Sequence, residues 1–345
     1  MPSRISRLII ILLCFTIVIS GCILKNKNSS PNNQNSATGN GPGQGQSSAT
    51  PAEGVLVTYT AWGVTPDLMY MVPLTVEAEG PEDRPYRALQ ALINWPDQSG
   101  ATVSAWPEGT RLELKSPIQD GTATVNITNL KQGVFGSAGE SFALGSLVHT
   151  LTQFTEPVIR QVQVLVDGQI KESLAGHVDI SQPLTPGANI NWISWGDEPA
   201  LSPDQGTNLT LYFAEPSAMY LVPITRTVAK TKDIAQATIN ELIRGPERES
   251  GLDPVIPAGT RCLGLELKAG ILTVDFSAEL RDRHSGGSSG ETLTVNAIVH
   301  SLGSLPGVEE VQILIEGKTG QSIGGHMVLS KPLRPRYLNL VPRNW

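Results

Sequence analysis

Val162-Gln163-Val164-Leu165-Val166-Asp167-Gly168 returns in the same chain as Val311-Gln312-Ile313-Leu314-Ile315-Glu316-Gly317, at an offset of 149 residues. Each run is β-branched and apolar and ends in an acidic residue and a glycine, which reads as a strand entering a turn. Outward from this pair the correspondence continues in the same order at offsets of 149–151. His149-Thr150-Leu151 answers to His300-Ser301-Leu302, and Trp106-Pro107-Glu108-Gly109-Thr110-Arg111 to Ile256-Pro257-Ala258-Gly259-Thr260-Arg261. Met69-Tyr70-Met71-Val72-Pro73 answers to Met219-Tyr220-Leu221-Val222-Pro223, and Gly176-His177 with Pro183-Leu184 to Gly325-His326 with Pro332-Leu333. Each copy spans about 130 residues, the size of an independent domain and too long for a solenoid unit.

Both copies carry one layout. A strand over Leu209–Ala214 turns into a short second strand around Tyr220–Ile224. A helix follows, with Ala235, Ile239, Leu242 and Ile243 on one face and Gly245-Pro246 at its end; its counterpart has Tyr86, Leu89 and Ile93 after Pro85. Arg261–Lys268 and Ile271–Phe276 predict a hairpin turning at Ala269-Gly270, matched by Asp120-Gly121 in the first copy. Leu144, Leu147, Val148 and Leu151, like Val295, Ile298, Val299 and Leu302, give a second helix an apolar stripe. Two striped helices need a sheet to cover, so the expected class is α+β: two tandem copies of a small domain with two helices packed on one face of a β-sheet. The copies occupy 55–185 and 207–335, joined by a linker at 186–206 and followed by a tail at 336–345. Trp192 and Trp195 in that linker are expected to pack into the junction between the domains.

The N-terminus has a different chemistry. Arg4 and Arg7 precede an apolar run from Leu8 to Ile19, the layout of a secretory signal over residues 1–21 and too short for a comfortable transmembrane helix. Ile19-Ser20-Gly21-Cys22 resembles the bacterial lipobox, which makes Cys22 the expected site of lipidation and places the chain, by its acyl chains, at the extracytoplasmic face of the membrane. Residues 22–54 are rich in Asn, Ser, Gly and Gln and read as a disordered tether. Such a tether averages roughly 30 Å end to end and reaches roughly 100 Å at full stretch. Cleavage ahead of Cys22 would remove Arg4 and Arg7, leaving 23 basic against 32 acidic residues and a net charge of −9. Nucleic acid is therefore excluded as a partner.

Few residues suggest chemistry. Cys14 leaves with the signal and Cys22 is consumed by lipid, so Cys262 stands alone, expected as a small buried residue aligned with Leu112. His149 and His300 flank an apolar stripe and are expected to touch solvent or a backbone carbonyl. His177 and His326 are expected to fix a turn through the imidazole. A His–Asp dyad does not persist: Asp179 is replaced by Val328, and Asp275 by Asn126. The loop from Arg281 through His284 to Gly290 lacks the lysine of a phosphate-binding loop, and Glu291 would repel a phosphate. Ser277 and Ser285 lack a nucleophile elbow. No catalytic residue, cofactor or metal ligand is expected. A wall-active hydrolase using a His–Asp pair and a peptidoglycan binder using Trp192, Trp195 or the Tyr337–Trp345 tail are the rival readings.

The ordered constellation resembles the GerMN domain, the repeated unit of the GerM family of sporulation and germination lipoproteins. It rests on Leu211-Tyr212-Phe213, Tyr220-Leu221-Val222-Pro223, Gly245-Pro246, Ile256-Pro257-Ala258-Gly259-Thr260, Val274-Asp275-Phe276-Ser277, the helix around Asn296–Ser301, Val311–Gly317, and Gly325-His326 with Pro332-Leu333. The first copy departs from it at Asn126 and at Asn94-Trp95-Pro96. The resemblance implies a non-enzymatic assembly or scaffold component of spore formation or germination, acting through contacts like those of ring-building modules. Its implied partners are envelope or sporulation-complex proteins, a second copy of itself, and peptidoglycan.

Overall fold

A computed structural model describes residues 56–79, 83–187, 189–191 and 205–341. The signal segment, Cys22, the tether, Trp192, Trp195 and residues 342–345 of the tail lie outside the described residues. None of the helices among the described residues is long and apolar enough to cross a membrane.

The first repeat runs β1 (Leu56–Val64), β2 (Met71–Glu79), α1 (Arg84–Ile93), β3 (Arg111–Gln119), β4 (Thr122–Thr128), α2 (Ser137–Thr152) and β5 (Gln161–Val166). The second runs β6 (Gly206–Ala214), β7 (Leu221–Ala229), α3 (Ile234–Arg244), β8 (Cys262–Lys268), β9 (Ile271–Phe276), the short α4 (Glu279–Asp282), α5 (Gly287–Gly303) and β10 (Glu310–Ile315). The tight hairpins form because both turn residues adopt positive φ: 49° and 77° at Asp120-Gly121, 51° and 80° at Ala269-Gly270. That geometry matches the twist of the flanking strands. Asp83 and Asp233 cap α1 and α3, accepting from the N–H of Tyr86 and Gln236, and Gly245, at φ 87°, closes α3. All eight stripe residues of α2 and α5 are buried.

The α+β class holds, with one refinement. Each repeat has two sheets: an antiparallel hairpin (β1-β2 or β6-β7) and a mixed three-stranded sheet ordered β3-β4-β5 or β8-β9-β10. The helix before the last strand makes that strand parallel to its neighbour, as a crossover requires. In the first repeat α1 and α2 touch each other and share β1, while α1 also meets β3 and α2 meets β5.

The hairpin's second strand is longer than its apolar pattern suggests. β7 reads Leu-Val-Pro-Ile and then Thr225-Arg226-Thr227, which looks like a strand running out. Yet Thr225 is buried and Arg226 pairs with Glu241 at 2.8 Å while lying 5.7 Å over the ring of Phe213. Tertiary partners supply the burial that the side chains themselves do not advertise.

The repeats are not beads on a string. Tyr70, Val72 and Leu74 of the first repeat belong to the apolar core of the second. β2 and β7 lie alongside, and residues of each repeat reach across to the other. Tyr70 Oη donates to Ser250 O at 2.7 Å, and Tyr220 Oη to Asp97 Oδ1 at 3.1 Å. Two asparagines in left-handed backbone, Asn191 (φ 50°) and Asn339 (φ 53°), clamp the pair. Asn191 Oδ1 accepts from Met71 N–H at 2.7 Å, and its Nδ2 donates to Met71 O at 2.7 Å and Pro223 O at 2.8 Å. Asn339 repeats this on Leu221 N–H at 2.7 Å, and on Leu221 O and Pro73 O, both at 2.8 Å. The segment after each repeat thus straps the other repeat's neighbour strand: Ile190 on Thr225 and Leu338 on Thr75. The junction among the described residues is built from these amides and tyrosines.

Candidate functional site

Both repeats form the same cleft, between the Pro-x-Gly-Thr loop and the start of the second helix. Each has a volume of about 510 Å³. In the first repeat its wall is aromatic, from Trp106, Phe135 and Phe142, with Trp106 and Phe135 edge to face at 6.3 Å. In the second repeat Ile256 and Leu293 form the wall beside Arg283, His284 and Ser285. Both clefts are mainly apolar, aromatic in the first copy and aliphatic in the second, where Arg283, His284 and Asp253 stand at the margin.

His284 is held in place from below. Thr294 Oγ1 donates to Val255 O at 2.7 Å and stands 3.2 Å from His284 Nε2. The hydroxyl proton is committed to the carbonyl, so Nε2–H donates to Thr294 Oγ1. Arg283 donates to Ala258 O at 3.0 Å, tying the loop to the opposite wall.

Beneath the clefts lies the feature that sequence reading missed. Glu140 in α2 and Glu291 in α5 are fully buried carboxylates. Glu140 Oε1 accepts from Leu174 N–H and Ala175 N–H at 2.8 and 2.9 Å, and Oε2 from His177 N–H at 2.9 Å. Glu291 Oε1 accepts from Ser322 Oγ at 2.6 Å and Ile323 N–H at 2.9 Å, and Oε2 from His326 N–H at 2.8 Å and Met327 N–H at 3.2 Å. Burial pushes the Glu291 pKa up, but the hydrogen bonds from Ser322 and the backbone of Gly324, His326 and Met327 outweigh it and hold it at about 2. The same balance lowers Glu140. Both glutamates stand nine residues before the paired histidines in a Gly/Ser-rich stretch, so their persistence between the copies was the available signal.

These carboxylates correct the reading of His177 and His326. The turn is fixed by the main-chain N–H of each histidine, not by the imidazole, and both residues are exposed. Glu291 likewise does not face an incoming anion; it points inward to the 322–327 loop.

The imagined acid–base partners are engaged elsewhere. Asp275 Oδ1 accepts from Gly317 N–H at 2.9 Å, and Asn126 Oδ1 does the same for Gly168 N–H at 2.7 Å. A carbonyl-type oxygen suffices for this turn, which is why Asp and Asn interchange between the copies. Asp179 accepts from Ser181 N–H at 2.8 Å. Asp275→Asn should therefore leave stability nearly unchanged, whereas Asp275→Ala, which removes the acceptor of this exposed glycine N–H, should cost about 0.5–1.5 kcal/mol by thermal denaturation. Ser277 is buried and accepts from Arg261 N–H at 3.0 Å, a clamp at the start of β8.

His149 and His300 are part-buried, and His300 meets a backbone partner, Arg336, as expected. Their rings contact Trp62 and Tyr212, with centroids 5.2 and 5.6 Å apart. Burial lowers the pKa of His149, and takes His300 down to about 4 against the opposing hydrogen bond with the Arg336 backbone. Cys262 is half-buried where Leu112 is buried, because a register shift between Cys262 and Gly264 lifts it from the core. Burial raises its thiol pKa, so it is not a poised nucleophile.

The Germane family, described as "Sporulation and spore germination", matches residues 58–172 and 210–321, roughly two thirds of the chain. The spore germination protein GerM of Bacillus subtilis (strain 168) is 28% identical over 267 residues, covering 72% of this chain and 69% of that protein. A solved structure of the tandem GerMN domains of the sporulation protein GerM from Bacillus subtilis has a TM-score of 0.63 at 24% identity, covering 82% of this chain and 98% of that one. The first GerMN domain of that protein, solved alone, covers 37% of this chain and 97% of its own, at 23% identity and a TM-score of 0.33. The two matched segments fall one on each repeat, and the chain belongs to the Germane family as a tandem pair of GerMN-type domains.

Proposed function

We propose that this protein is a non-enzymatic assembly component of sporulation or spore germination, anchored through Cys22 to the extracytoplasmic face of the membrane and acting through protein–protein contacts. The weld between the repeats carries the reading. A block whose two domains are clamped by asparagine amides, Asn339 buried and Asn191 part-buried, is suited to holding partners at a set spacing, and ill suited to closing about a substrate. The engagement of Asp179, Asp275 and Ser277 in backbone clamps supports the same reading. The tether would let the block stand off the membrane by tens of ångströms, roughly 30 Å on average.

The test is complementation of a spore former whose own relative is deleted. The full chain, and the double variant His177→Gln/His326→Gln, should restore germination equally. Cys22→Ala should leave the protein out of the membrane fraction and fail to restore it. Failure of the histidine variant, with the protein present at normal level, would favour a hydrolase; saturable binding of purified protein to sacculi would favour a glycan binder.

A further inference from the structure

The three-stranded sheet of the second repeat has one closed side and one open side. Beyond β10 the chain returns, and Val311 and Leu333 exchange backbone hydrogen bonds at 2.8 and 2.9 Å. β8 is the other edge. Leu263 and Leu267 on it are 49% and 50% exposed, an unusual display for a strand whose sheet backs the core.

Register settles which backbone groups face outward. β8 and β9 are joined by the two residues Ala269-Gly270, so Lys268 and Ile271 form the hydrogen-bonded pair that closes the turn. Pairs then alternate: Leu267↔Leu272 and Leu265↔Val274 are non-hydrogen-bonded, and the N–H and C=O of Leu265 and Leu267 point away from β9, to the open edge. An edge of this kind is a template for one more strand.

The equivalent edge in the first repeat is guarded. β3 carries Pro117, which has no N–H to offer, and an ion pair between Lys115 and Glu113 at 2.7 Å; its register shifts between Lys115 and Gln119. Pro and paired charges each discourage strand addition; an irregular register is common to both edges, since β8 shifts between Cys262 and Gly264. Two copies of one fold in one chain thus treat the same edge oppositely.

We propose that β8 pairs antiparallel with β8 of a second copy of this chain, about a two-fold axis at Leu265, joining two three-stranded sheets into one of six strands. The strand is self-complementary in this register. Leu265 lies opposite Leu265 of the second copy, and both have outward-facing backbone groups, so they form a hydrogen-bonded pair; Leu267 of each copy falls beside the other's Leu263, at the register shift between Cys262 and Gly264. Glu266 falls opposite Gly264 and Lys268 opposite Cys262, so no like charges face directly. A shift by one residue, centring the axis on Glu266, would set two carboxylates against each other. Centring on Leu265 brings Gly264–Glu266 of the two copies together, within the regular stretch of β8 that begins at Gly264. A second copy therefore fits this edge, and the contact is isologous and closes as a dimer.

The inference deepens the assembly reading and rests on it, naming the partner and surface. The test uses residues 52–345, which form one compact unit, by sedimentation equilibrium from micromolar to millimolar concentration. A monomer–dimer equilibrium is expected, weakened at least about tenfold by Leu267→Lys, with Ile118→Lys in β3 having no effect on association. A second measurement is independent of affinity. In a Cys262→Ala background, Leu265→Cys should give a covalent dimer with a short bismaleimide, and Leu114→Cys should not. A monomer throughout the range, a dimer indifferent to Leu267→Lys, or cross-linking at residue 114 alone would each overturn the pairing. Those failures are distinct from failure of the assembly reading, which a loss of complementation by the histidine variant would signal.

Discussion

Glu291→Ala should destabilise the protein by about 4 kcal/mol or more, the largest loss expected from any single polar residue described. The carboxylate is fully buried and holds Ser322, Ile323, His326 and Met327. Removing it leaves those donors facing a cavity, and each unmet buried donor costs about 1–3 kcal/mol. Gly324 makes the approach close: a Cβ there would stand 3.1 Å from Glu291 Oε2. Glu291→Gln should cost less, about 2–3 kcal/mol, because one amide oxygen still accepts while the NH₂ faces N–H donors. The pH dependence separates the two origins. The folded pKa is depressed from 4.5 to about 2. Its stabilisation is therefore full above about pH 4.5 and is lost as pH falls through 2, amounting to about 3 kcal/mol. Urea unfolding between pH 5 and pH 2 should show this slope in the parent chain and a smaller one in Glu291→Gln, where Glu140 and the other depressed carboxylates still contribute. An unchanged slope would mean the carboxylate does not hold the loop.

Asn339→Asp should be nearly as damaging, although it changes one atom. Asn339 is 8% exposed, and its Nδ2 donates to two carbonyls, those of Pro73 and Leu221. A carboxylate there would set a buried charge against both oxygens, at a cost of about 3–5 kcal/mol. Asn339→Ala should cost about 2–3 kcal/mol, from the lost amide bonds and from placing alanine at φ 53°. The expected calorimetric result is one cooperative transition for the parent, because the repeats share a core. Asn339→Asp should broaden it or split it in two. Two transitions in the parent would show that the clamp is decorative.

Much of this was legible from the residues. The stripe of α5 and the hairpin at Ala269-Gly270 follow from periodicity and turn chemistry, which are local. The interface was not legible. Tyr70 and Tyr220 look like ordinary core residues, and Asn191 and Asn339 lie in segments that read as linker and tail. Their value comes from groups 32–266 residues distant in the chain, and no local pattern encodes that. Glu291 was seen as a helix-start charge because sequence shows position along a helix, not the direction of its side chain.

The sequence alone determined that the chain is two copies of one α+β unit, with helices, hairpins and turns in a set order, since each depends on neighbours within a few residues. The family followed from that order. Tertiary structure alone decided that the copies are clamped into one body, that Glu140 and Glu291 are loop anchors, and that β8 is open where β3 is guarded. The physical reason is that burial and hydrogen-bond satisfaction belong to the assembled interior: an asparagine or glutamate becomes structural only when the donors and acceptors that need it have been brought within about 3 Å.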